Sequence, residues 1–249
     1  MFDIFFKRKK IVVDAFTANV TAYDLFPIQK AVKFVPDWWK KVPPSYYEEE
    51  QGNGLAIRRA SMKTCAGFLD LYKTGFILPL WSDLTIQSQG TEYQYQFADA
   101  TSNVSFHSTE QIGPEFMKYM HVKLLSPWRI REKTGIQFLY SQPSWNEPQE
   151  LMYHTTPPGI IEYKYQHTTN VNMFLTKGRR FDWSAGRPMA HIIPLTEHDV
   201  DLKVHCVGPT ELMRVMTGAG FPFFMNGYME SKKILKNKCP YEVINKDIK

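Results

Sequence analysis

The stretch Leu84-Thr85-Ile86-Gln87-Ser88-Gln89-Gly90-Thr91-Glu92-Tyr93-Gln94-Tyr95-Gln96-Phe97 decides the class of fold. Leu84, Ile86 and Ser88 alternate with Thr85, Gln87 and Gln89, and Tyr93, Tyr95 and Phe97 alternate with Gln94 and Gln96. Successive side chains of an extended strand point to opposite faces, so each run has one apolar face and one polar face. Gln89-Gly90-Thr91 suits a tight connection between them. The stretch predicts a β-hairpin with one face buried and one face wet.

The same reading extends in both directions. Strands are expected at residues 104–107 and 122–125, with a short helical turn at 114–119 between them. Residues 135–140, 159–165, 171–175, 189–193 and 201–207 are further strand-like runs. Glu132-Lys133-Thr134-Gly135, Pro157-Pro158-Gly159, Lys177-Gly178 and Ala185-Gly186-Arg187-Pro188 mark turns among them. Short strands at this spacing without intervening helices predict a mainly β fold, a sandwich or a barrel-like body of jelly-roll type. Helix is expected only near the C-terminus. There Thr210 would cap Glu211-Leu212-Met213-Arg214-Val215-Met216 and Gly218 would end it, with a second helical segment after Asn226. The chain thus divides into an N-terminal arm and partly irregular segment (1–54), a β-rich core (55–207) and a helical C-terminal segment with a basic tail (208–249). Trp38 and Trp39, between prolines, are expected to plug a groove of the core or of a neighbouring subunit, and 48–54 to form an exposed loop.

With 43% hydrophobic and 14% aromatic residues in 249, the chain can bury enough surface to offset its conformational entropy, which excludes a disordered protein. The net charge is +5. Residues 1–10 hold +3 and residues 231–249 hold +4, so the remaining 220 residues carry −2. Basic charge at the two ends, rather than along the body, argues against nucleic acid as the partner. Phe2, Ile4, Phe5 and Phe6 precede the basic cluster, the reverse of a secretory signal. No apolar run reaches the length needed to cross a bilayer, so no membrane association is expected. Cys65, Cys206 and Cys239 are odd in number and form no CxxC pair, which fits reduced thiols.

Motifs for chemistry are sparse. Phosphate-loop, GxGxxG, GxSxG and HExxH patterns are missing from the sequence, and no His is followed two residues later by Asp or Glu. Gly218-Ala219-Gly220 reads as a helix end and turn. The densest metal-type cluster is His198, Asp199, Asp201 and His205. On a strand Asp199, Asp201 and His205 would share a face, the donor set an iron oxygenase on a double β-sheet scaffold would need. His107, His121, His154, His167 and His191 are scattered along the chain. Cys206 adjoins His205, but neighbours on a strand face apart, so the pair is no nucleophile and base.

Two stretches resemble a family of uncharacterised proteins of tailed phages, including cyanophages, and of some bacteria. The first is Lys63-Thr64-Cys65-Ala66-Gly67-Phe68-Leu69-Asp70 with Thr74-Gly75-Phe76-Ile77-Leu78-Pro79-Leu80-Trp81-Ser82-Asp83. The second runs from Pro127-Trp128 through Pro157-Pro158-Gly159-Ile160-Ile161-Glu162 to Gly186-Arg187-Pro188-Met189-Ala190-His191-Ile192-Ile193-Pro194. That resemblance implies a phage-encoded protein of the host cytoplasm or the assembled particle, with no activity attached.

Residues 135–195 also resemble the core of trimeric dUTPases. Gly159-Ile160-Ile161-Glu162-Tyr163-Lys164-Tyr165 stands where that family has its G-[VI]-I-D-x-x-Y turn, and Met189-Ala190-His191-Ile192-Ile193 follows as its later strand. The resemblance implies a homo-trimer, Mg as cofactor, Glu162 as the carboxylate that activates water, and Tyr165 against the base. Gln142, Ser144 and Asn146 would be further ligand-binding residues. The sequence departs from that family in having Glu for Asp at 162, no Arg in Gln142-Pro143-Ser144-Trp145, and no Gly-rich arm bearing an arginine. Triphosphate hydrolysis without those cations lacks most of its charge stabilisation. The leading expectation is a non-enzymatic β-rich binding or assembly protein that takes a protein partner or associates with itself, with no cofactor.

Overall fold

The computed structural model describes residues 10–49, 56–89 and 92–217. In chain order the elements are β1 (Ile11–Thr17), α1 (Val20–Leu25), β2 (Gln29–Lys30), α2 (Asp37–Lys41), β3 (Ser45–Glu49), β4 (Ala56–Ala60), α3 (Ala66–Lys73) and β5 (Phe76–Pro79). There follow β6 (Leu84–Gln89), β7 (Glu92–Phe97), β8 (Asn103–Phe106), α4 (Thr109–Ile112), β9 (Tyr119–Leu125), β10 (Arg129–Glu132), β11 (Phe138–Ser141) and β12 (His154–Thr155). The last are β13 (Gly159–Ile161), β14 (Val171–Thr176), β15 (Arg180–Trp183), β16 (Pro188–Pro194), β17 (Val200–Cys206) and α5 (Pro209–Thr217).

The protein is mainly β, as its alternation predicts. Four sheets, in the orders β10-β1-β17, β13-β11-β16-β5-β2, β12-β14-β9-β8 and β15-β6-β7, enclose one apolar core, and β3-β4 stands as a separate pair. Val13 and Ala15, Phe76 and Leu78, Leu84 and Ile86, and Val122 and Met173 bring one face of each of the four sheets into that core. Trp81 and Trp128 are buried within it. The predicted hairpin is β6–β7, antiparallel with Leu84 opposite Phe97 and Ile86 opposite Tyr95. Leu84, Ile86 and Ser88 all point inward. Tyr95 leans out because β7 is the sheet edge, and its hydroxyl donates to Asn103 Oδ1 at 2.5 Å.

Turn chemistry explains the connections. Buried Glu132 accepts the backbone N–H groups of Gly135 (2.7 Å) and Ile136 (3.2 Å), closing the turn into β11. An apolar side chain there would leave those amides unpaired.

Several expectations change. Within the segment expected to be an arm and partly irregular, β1 is the central strand of its sheet, parallel to β17 and antiparallel to β10. Helix is not confined to the C-terminus, since α1, α2 and α3 precede the hairpin. The strand expected over 159–165 ends at Ile161, and Tyr165 N donates to the Glu162 carbonyl at 3.0 Å in a turn. Helix α5 begins at Pro209, where Gly208 offers the first carbonyl to Leu212 N, so Thr210 lies within its first turn. Gly218, the helical segment after Asn226, Cys239, residues 1–9 and the basic C-terminal tail lie outside the described residues.

Candidate functional site

A second, smaller core carries the most distinctive surface. Ala31, Phe68, Tyr72 and Ile77 are buried in it, with Trp38, Trp39, Met62 and Cys65 packed against them. The Phe68 ring is its centre. Trp39 stacks on it at 5.3 Å between centroids, Tyr72 lies at 4.9 Å, and Trp38 and Trp145 meet it edge-on at 5.8 and 5.6 Å. These are the arrangements that ring quadrupoles favour. The tryptophan pair therefore plugs a groove of its own chain. Trp145 remains 44% exposed.

The loop after β11 is tied to this platform. Asn146 Nδ2 donates to the Phe34 carbonyl at 2.6 Å, Tyr72 Oη donates to Asn146 Oδ1 at 2.7 Å, and Trp38 Nε1 donates to the Trp145 carbonyl at 2.8 Å. Burial pushes the Tyr72 phenol up, which keeps it a donor.

From the platform springs the β3–β4 pair. Its root is clamped by Trp39 Nε1 donating to the Met62 carbonyl (2.9 Å), Lys63 Nζ donating to the Lys40 carbonyl (2.9 Å), and Ser61 N donating to the Pro44 carbonyl (3.2 Å). Beyond the root the strands pair in five steps, from Ser45 opposite Ala60 to Glu49 opposite Ala56. Tyr46, Tyr47, Glu48, Glu49, Arg58 and Arg59 are all exposed. Tyr47 is 73% exposed, and one ion pair, Arg59–Glu48 at 3.1 Å, lies across the two strands. The sequence reading placed Glu48 and Glu49 in a loop. It missed the arm because neither strand alternates apolar with polar residues; Tyr46-Tyr47 ahead of Gly52-Asn53-Gly54 was the available signal.

The residues expected to bind a ligand fall into two places. Gln142 lies beside a half-buried charged cluster: its Oε1 accepts Thr156 N at 3.0 Å and its Nε2 is 3.3 Å from His154 Nε2. In that cluster Arg187 donates to Glu150 Oε2 at 2.6 Å, and Trp183 Nε1 donates to the same oxygen at 3.1 Å. Burial alone would raise the Glu150 carboxyl, but the Arg187 guanidinium and the Trp183 indole outweigh it and hold it below its ordinary range. His154 is lowered by burial and by Arg187. Ser144 and Asn146 follow in the loop, Asn146 committed to the platform. Glu162 and Tyr165 are buried at the other end of β11, where Gln137 Nε2 approaches Glu162 Oε1 at 3.4 Å. Five steps of extended chain, about 17 Å at 3.3–3.4 Å each, separate Gln137 from Gln142. The fold does not bring the two sets into one constellation.

The metal-type cluster is likewise dispersed. His198 and Asp199 are exposed, and His205 turns to Asp14 of the neighbouring strand, Nε2 to Oδ1 2.9 Å, with its ring stacked on Phe16 at 4.8 Å. Among the described residues no three of His, Cys, Asp and Glu stand close enough to hold a metal ion together. An open cleft of about 960 Å³ runs past Asn19, Trp81, Asp99 and Arg129. Burial alone would raise the Asp99 pKa, but hydrogen bonds from Thr101, Ser102 and Asn19 hold it low, so this carboxylate serves the cleft wall. No helix among the described residues is long and apolar enough to cross a membrane. Compared with known proteins, the chain matches no protein-family model and no curated protein sequence.

Proposed function

We propose that the chain is a phage-encoded assembly protein that joins copies of itself through the β3–β4 arm. The observation that carries this reading is an arm of five paired residues whose side chains are almost all exposed. A two-stranded hairpin with no face buried is marginal in water, and its two outer edges are ready to pair with another strand. Tyr46, Tyr47, Arg58 and Arg59 are exposed on it, and Tyr and Arg are types that dominate protein interfaces. The two edges also differ in charge, with Glu48 and Glu49 on β3 and Arg58 and Arg59 on β4.

That asymmetry selects the mode of association. A two-fold contact of β3 with β3 is antiparallel and gives Glu48 and Glu49 no basic partner, whereas β3 of one copy against β4 of the next brings acid to base. Head-to-tail contacts of this kind form a ring when the rotation per step closes, a trimer being the smallest, and an open filament when it does not; the closed ring is the form we propose. The phage origin is supported by the resemblance of residues 63–83 and 127–194 to the tailed-phage family.

Charge reversal tests the reading. Light scattering on wild-type protein is expected to give a closed oligomer that dissociates as salt is raised. Glu48→Arg/Glu49→Arg and Arg58→Glu/Arg59→Glu are each expected to be monomeric, and their mixture to associate again. A wild-type chain that stays monomeric at high concentration and low salt refutes self-assembly through the arm.

A further inference from the structure

His107 and His121 meet across the β8–β9 ladder. Val104 opposes Leu124 and Phe106 opposes Val122, and His107 N donates to the His121 carbonyl at 3.2 Å, which extends the pairing one step past β8. The two imidazoles are therefore direct cross-strand neighbours on one face. Their Nδ1 atoms converge to 3.1 Å, with the ring planes at 87°. Phe174, opposite His121 on β14, stacks on its ring at 4.7 Å and is itself stacked by Phe116 at 4.7 Å. One imidazole is thus held in a packed aromatic layer, and the other is held opposite it by the backbone ladder.

We propose that His107 and His121 chelate a divalent late transition-metal ion, such as Zn²⁺, through both Nδ1 atoms. Two nitrogens bound tetrahedrally to Zn²⁺ at 2.0–2.1 Å lie about 3.3 Å apart, so the observed separation requires only a small side-chain adjustment. Imidazole is a ligand of choice for Zn²⁺, Cu²⁺ and Ni²⁺. The other coordination positions fall to water, since among the described residues no third His, Cys, Asp or Glu completes the group.

Both rings are set up to remain neutral, the form that binds metal. Burial lowers His121 to about 4, helped by His107 and by Lys123, and burial and Lys123 lower His107. Without metal, one Nδ1 must carry the proton shared between the rings. On coordination that proton moves to Nε2 of the same ring, and both Nδ1 lone pairs face the ion. Lys123 is the charged group whose field reaches both rings, and it opposes the cation, which places the site among modest, exchangeable ones.

The test uses the full chain free of any purification tag, titrated with Zn²⁺ by calorimetry at pH 7.5. Wild-type protein is expected to bind one equivalent more than either His107→Ala or His121→Ala. His107 is partly exposed, so His107→Ala keeps the fold, and a thermal melt checks both variants. Ring ¹⁵N resonances of wild-type protein supply a second readout, with both Nδ1 signals expected to shift on adding Zn²⁺. Equal stoichiometry in wild type and His107→Ala, or Nδ1 resonances that do not move at saturating Zn²⁺, overturns the proposal.

Discussion

Replacing Gly75 by Ala tests how the aromatic platform is joined to the main core. Gly75 follows α3 and leads directly into β5, with φ at +77°, a left-handed conformation that L side chains rarely adopt. A Cβ there would lie 2.3 Å from the Ile192 carbonyl oxygen and 3.0 Å from Ile193 Cα. That oxygen cannot retreat easily, because β16 is paired on both sides, with β11 and with β5. The Gly75 carbonyl also accepts Ala31 N at 3.0 Å, tying the platform to the same point. The left-handed conformation costs roughly 1–2 kcal/mol for Ala. Forcing a packed backbone apart adds about 1–3 kcal/mol. Gly178 is the control, with φ at +76° and nothing within 4 Å of the place a methyl group would take, so Gly178→Ala bears the conformational term alone. Thermal melts of the two variants separate the terms: at about 2–4 °C per kcal/mol, Gly75→Ala is expected to melt roughly 2–12 °C below Gly178→Ala. Equal melting temperatures would refute the close approach of Gly75 to Ile192.

Two further outcomes follow from the charged groups. Arg187→Met leaves the half-buried Glu150 without its main partner and is expected to destabilise by about 2–4 kcal/mol in urea unfolding, with Glu150→Gln added to it recovering part of the loss. A loss under about 0.5 kcal/mol, the range of an ordinary surface substitution, would show that the cluster contributes little to the fold. Acid should weaken the protein as pH falls below about 6.5, because burial lowers His121, from 6.5 to about 4, and also lowers His154, His167 and His191. In that window the unfolded chain binds protons that the native chain does not, so stability is full above about pH 6.5 and falls as pH drops toward about 4. Melting temperature is expected to decline over this range and to decline less steeply in His121→Gln; a flat profile in the wild type would contradict it.

Local pattern carried the class of the fold, because alternation with period two depends only on which side of a strand meets the core. Leu84, Ile86 and Ser88 could be assigned to the buried face from the sequence, as could the turn glycines Gly135, Gly178 and Gly186 to their bends, where all three have positive φ. Pairing between distant segments has no such local signature. That β1 lies between β10 and β17, and that the strand expected to run to Tyr165 stops at Ile161, are decided by which neighbours supply the next hydrogen bonds.

The sites divide in the same way. The resemblance to the dUTPase core implied Gln142, Ser144 and Asn146, but only the folded chain commits Asn146 to Tyr72 and Phe34 and sets Gln142 apart from Glu162. His107 and His121 are scattered in sequence and adjacent in space, because an antiparallel ladder brings residues 14 apart to one point. The arm formed by Tyr46, Tyr47, Arg58 and Arg59 is the converse case: with no buried face it leaves no apolar period in the sequence, and its pairing became visible only in three dimensions. Burial writes itself into sequence as periodicity, whereas exposed pairing and cross-strand contact do not, since any residue type can satisfy the backbone that makes them.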